Sequence, residues 1–172
     1  MELLIPGLIL VALMVYASTR IKRNAAAAFE PETIETEEFC IQKPEGFLNV
    51  IGVDPRYKLE AYSKEYGVGD AAEFRQARAT LTVHEGKTAR NVISEFRREG
   101  RQIVDDLSEV VGGNRYRVLE SKRAESGIEF RVINKIGERG GDAFDLEVIR
   151  LADIDAEFEK RADELVRGFE LK

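Results

Sequence analysis

The sequence predicts an α+β fold in which a largely antiparallel sheet is packed by a long central helix and a C-terminal helix, behind one N-terminal transmembrane helix. Three observations carry that reading. Apolar and polar residues alternate with period two on both sides of the chain's middle, as strands with one buried face require. From Thr88, and again after Asp155, the period lengthens to that of a helix. And from Leu3 to Ala17 the chain carries no charge.

The N-terminal run is taken first. At ~1.5 Å per residue, Leu3 to Ala17 makes ~22 Å of helix, short of a ~30 Å hydrocarbon core. Continuing through Ser18 and Thr19 to Ile21 closes the gap, because Arg20 and Lys22 can extend their charged heads to the interface. Pro6 falls in the first turn, where its missing amide hydrogen does no harm. A secretory signal is the competing reading, since "VYA" has small residues placed for cleavage after Ala17. A signal wants its positive charge before the apolar stretch, whereas here Glu2 precedes it and Arg20, Lys22 and Arg23 follow. The expectation is an uncleaved anchor over Leu3 to Ile21, flanked by those three residues. Positive flanks stay inside, so the N-terminus is expected outside and the main domain in the cytoplasm.

The expected organisation is residues 1–29 as anchor and juxtamembrane helix, residues 30–37 as an acidic linker, "EPETIETE", and residues 38–172 as one domain. Strands follow at "EFCIQKP", "RYKLEAYSK" and "QARATLTVHE", each bounded by turn residues. From Thr88 to Val111 the apolar residues Val92, Ile93, Phe96, Ile103, Val104, Leu107, Val110 and Val111 share one helical arc of roughly 120°. One long helix, capped by Thr88 and ended by Gly112 and Gly113, is expected; two short helices broken at Gly100 are the alternative. Next come three strands, "RYRVLESKR", "IEFRVINKI" and "AFDLEVIRLA", joined by hairpin-length connections. A closing helix repeats Phe158, Ala162, Leu165 and Phe169 behind an aspartate cap.

Composition narrows the function. The 172 residues are 44% hydrophobic and 34% charged, with a net charge of −6. Leaving out the residues up to Asn24, the remainder has 23 basic and 31 acidic side chains. Such an acidic domain is a poor match for nucleic acid, whose binding depends on neutralising phosphates. The single cysteine, Cys40, rules out an internal disulfide and reads as a small buried thiol in a strand.

No motif points to a reaction centre or a cofactor. "EGKT" at Glu85 to Thr88 resembles the end of a phosphate loop, but Leu81 stands where that loop needs glycine, so a turn and helix cap is the better reading. "GERGGD" at Gly137 to Asp142 has too few oxygen ligands for calcium and reads as a hairpin turn. His84 is the only histidine and has no metal partner at ligand spacing. Asp105 and Asp106 are adjacent, so on a helix their side chains diverge. Arg90, Arg97 and Arg101 are the polar feature of most interest: on one long helix they form a basic stripe, suited to lipid headgroups or an acidic partner. Arg101 could instead pair with Asp105 one turn on.

Particular words in the sequence resemble the PsbP-like family, whose fold is shared by an extrinsic subunit of photosystem II and a nuclear import factor that binds the Ran GTPase. They are "FCIQKPEGF" at Phe39 to Phe47, "SGIEFRVINKIGERGGDAFDLEVIRLAD", and the ending "FEKRADELVRGFEL". The turn carries phenylalanine where tryptophan is common in that family. The resemblance spans Glu38 to Lys172 and implies a binding or assembly module with no shared catalytic residues. The expectation is therefore a non-catalytic, membrane-anchored accessory subunit of a membrane protein complex. The alternative is a cytoplasmic-face enzyme that uses His84 with acids from the strands that follow.

Overall fold

A computed structural model describes the backbone of residues 4–50, 52 and 54–172, and the side chains of residues 11–23, 26–50, 52 and 54–172. Helix α1 (Leu4–Ala27) leads into strands β1 (Glu32–Glu35), β2 (Phe39–Lys43), β3 (Phe47–Val50), β4 (Tyr57–Ser63) and β5 (Ala77–His84). Helix α2 (Ala89–Arg98) is followed by β6 (Gln102–Val111), β7 (Asn114–Glu125), β8 (Ile128–Arg139) and β9 (Asp142–Leu151). Helix α3 (Ala156–Arg167) and β10 (Phe169–Leu171) close the chain. Seven strands form one sheet in the order β3-β4-β5-β9-β8-β7-β6, and β1-β2-β10 form a second. Every pairing between the strands is antiparallel.

The large sheet is covered on both faces. On one, α3, β2 and β10 bury Phe39, Ile41, Phe158, Ala162, Leu165 and Phe169 against Ala79, Leu81, Tyr116 and Leu146. On the other, α2 sets Val92, Ile93 and Phe96 against Leu119, Ile136 and Ala143. Successive residues of β9, Ala143 and Phe144, thus enter different clusters, as a strand buried on both faces requires. The expected α+β class is what the structure has, and Thr88 and Asp155 cap their helices by accepting from the amides of Asn91 and Phe158.

The long central helix is not formed. Helix α2 ends at Arg98, and residues 102–111 are strand β6, at the edge of the sheet. Gly100 adopts φ +77°, while its amide donates to Arg97 and that of Arg101 to Phe96, a Schellman closure that stops the helix. Gly112 and Gly113, expected to end a helix, form the two-residue turn of the β6–β7 hairpin, both with positive φ. The alternative of two short helices fails at the same place.

The segment expected as an acidic linker contains β1, which pairs along β2 from Glu32 opposite Lys43 to Glu35 opposite Cys40. Cys40 is half-buried rather than enclosed, since alternation along β2 turns Phe39, Ile41 and Lys43 inward and Cys40 outward. The inward Lys43 ties the helix end to the domain: its ammonium donates to the carbonyls of Glu30 at 2.5 Å and Phe47 at 2.8 Å. Nearby, the Gly46 amide donates to the Phe29 carbonyl, and Lys64 lies over the Phe29 ring. Among the described residues no helix is long and apolar enough to cross a membrane. The expected span begins at Leu3, which lies outside the described residues, as do its side chains through Leu10.

Candidate functional site

Helix α2 covers only part of its face of the sheet, and beside it a polar seam runs from buried Asn134 and Asp145 to the partly exposed Glu147 and Arg101. Residues alternate along β5, β9 and β8 so that His84, Asp145, Glu147 and Asn134 all project to that side. The Asn134 amide donates to both Asp145 oxygens, at 2.9 and 3.2 Å, and lies 3.4 Å from Glu147. Asn134 and Asp145 are buried, so this pairing satisfies polar groups that could not stay unmatched there. Arg101 ends the seam. Its guanidinium donates to Glu147 at 2.8 Å and rests 3.7 Å over the Phe96 ring.

Beyond Arg101 the seam opens into a groove of about 620 Å³. Val132, Ile149 and Ser121 lie in its floor, Phe130 closes one end, and Glu99 to Gln102 with Arg123 make its rim. Phe130 is itself held edge-on by Phe74, 5.5 Å away in the loop between β4 and β5. The result is a concavity with an apolar floor and charged rims of both signs, suited to an extended amphipathic segment.

The arginine stripe is not assembled. Arg90 and Arg97 are exposed on α2, and Arg97 pairs with Asp106 at 3.1 Å. Arg101 lies past Gly100, off the helix, and pairs with Glu147 and Glu99 rather than with Asp105. Arg20, Lys22 and Arg23 are exposed along α1. His84 does meet an acid of the later strands, but its Nε2 is 3.8 Å from Asp145, beyond hydrogen-bond length. Among the described residues no group of three histidine, cysteine, aspartate or glutamate side chains could hold a metal ion. Sequence reasoning missed Asn134, Asp145 and Glu147. Their signal was polar residues at inward positions of otherwise apolar strands, "RVINKI" and "FDLEVI".

No protein-family model matches the chain, and no curated protein matches it. Solved structures do. Cyanobacterial PsbP from Synechocystis sp. PCC 6803 is similar with a TM-score of 0.55 at 11% identity, over 83% of this chain and 92% of that one. A protein from Bacteroides thetaiotaomicron VPI-5482 gives 0.49 at 14% identity, over 78% of this chain and 45% of the other. A Pseudomonas aeruginosa protein of unknown function gives 0.41 at 8%, over 72% and 84%. The first likeness identifies the fold as PsbP-like.

Proposed function

We propose that the chain is a membrane-tethered binding module, an accessory subunit that holds a partner in a membrane protein complex on the cytoplasmic side. The observation that carries this reading is an apolar helix fastened at its far end to a domain with an open amphipathic groove. Val11, Leu13, Met14, Val15 and Tyr16 are each more than half exposed on α1, an amount of apolar surface that asks for lipid or protein around it. At 24 residues the helix is ~36 Å long, but its described part is not apolar enough over that length to count as a span, so the tether rests on the exposed apolar face and the basic flank. The basic residues Arg20, Lys22 and Arg23 favour an orientation with the domain inside.

The groove supports binding rather than turnover. Of the carboxylates that line it, Glu147 and Glu99 are both held by Arg101. The gap between His84 and Asp145 weighs against the enzymatic alternative. Tethering suits a weak binder, because confinement raises the effective concentration of its partner. The test is extraction from native membranes: the chain is expected to stay with the bilayer through an alkaline wash, and its domain to be cut by protease only after the cytoplasmic face is opened. Release by alkali, or cleavage from the outer face, contradicts the proposal.

A further inference from the structure

Arginines gather on one side of α2, above the β6–β7 hairpin. Arg97 reaches Asp106 of β6 at 3.1 Å, which fixes the side of the helix that faces the hairpin. Arg90 lies seven residues earlier, two helical turns, and so stands on that same side nearer the hairpin's turn. From β7, Arg115 and Arg117 project to the same face of the sheet as Leu119, which packs against α2. Between helix and hairpin is a cavity of about 520 Å³, lined by Ala89, Val110, Arg115, Arg117, Ile136 and Glu138. Val110 is 67% exposed there.

The charges around this cavity do not balance. Four arginines face two acids, and both acids are engaged: Asp106 is shared by Arg97 and Arg117, and Glu138 accepts the Ala89 amide at 2.7 Å. Arg90 and Arg115 are exposed and have no ion-pair partner among the described residues. The chain beyond Asn24 has 23 basic and 31 acidic side chains, so a positive surface runs against the field of the domain.

We propose that this cleft, at the opposite end of α2 from the groove beside Arg101, docks an acidic segment of a partner protein. Its carboxylates would meet Arg90 and Arg115, and an apolar side chain would meet Val110. Asp106 displays the same chemistry within the molecule, a carboxylate held between guanidiniums of α2 and β7. A bilayer surface is flat, whereas these cations flank a concavity with an apolar wall, which an extended chain can enter. Nucleic acid would be repelled by the rest of the domain. The proposal rests neither on the membrane tether nor on the groove.

The test uses the full chain in a neutral detergent and a fluorescent peptide of alternating glutamate and leucine, followed by anisotropy. Saturable binding is expected, with the affinity falling by about tenfold in Arg115→Glu and in Arg90→Glu. An acid in the first turn suits a helix, so the Arg90→Glu chain keeps its fold. Lys160→Glu makes an equal charge change on α3, where the side chain is 75% exposed, and is expected to bind as the wild type does. Absence of saturable binding, or an equal loss in Lys160→Glu, overturns the proposal. Binding that is unchanged when serine replaces the peptide's leucines also overturns it, since charge alone would then explain the affinity. Displacement of the peptide by an equal concentration of short-chain phosphatidylglycerol is likewise contrary, and would make the cleft a site for lipid headgroups.

Discussion

Lys43 shows how a single inward-facing charge can organise a junction. Burial disfavours its ammonium and lowers its pKa, while Glu32 opposes the shift without cancelling it. The ammonium stays because two carbonyls, of Glu30 and Phe47, accept its protons. The unfolded chain holds this proton up to an ordinary lysine value of about 10.5, whereas the folded chain gives it up at lower pH. The unfolded state therefore binds more protons in that window, and stability should rise as pH climbs toward it. Tyr116 acts in the opposite sense above pH ~10, since burial raises its pKa and an ionised phenol is favoured only in the unfolded chain. Denaturation midpoints measured between pH 7 and 10 should show an upward trend that Lys43→Met removes. Equal slopes in the two proteins would exclude this role.

At the scale of elements, α2 and β6 meet at Gly100, where the chain takes a left-handed turn that lets Arg101 fold back over Phe96. A Cβ at this position would meet nothing within 4 Å, so Gly100→Ala isolates the backbone cost. It should destabilise by about 1–2 kcal/mol, the cost of a left-handed conformation for an L-residue. Circular dichroism should show no gain in helix, whereas a gain would favour the continuous helix that periodicity suggests. That periodicity misleads for a definite reason. The bulge between Ile103 and Asp105 breaks two-residue alternation, and the outward Val104, Leu107 and Val110 recur every three residues as they would on a helix. Strands such as β4 and β5 were legible because apolar and polar residues alternate without a break in their sequences. Strand β1 was not, because Glu32, Thr33 and Glu35 are exposed and the backbone ladder holds the strand to β2. The site was legible only in fragments: Arg101 stood out, but its partner Glu147 lies 46 residues on, a pairing that only the sheet register produces.

The whole molecule joins a helix with an exposed apolar face to a PsbP-like domain through contacts just past the helix end. Phe29 and Glu30 are held by Gly46 and Lys43, so the domain hangs from the helix end at a defined place rather than on a loose linker. The same domain carries the groove of about 620 Å³ beside Arg101. In this account the groove seats a segment of the partner subunit against Val132 and Ile149. An arginine at position 149 would place a charge on that apolar floor and expel the segment while leaving the domain folded, since Ile149 is only partly buried. The most direct measurement is the native mass of the full chain after gentle release from its own membranes. The account predicts a particle heavier than one or two 19.4 kDa copies, reduced to those copies alone by Ile149→Arg. A wild-type particle that contains nothing beyond the chain itself would contradict it.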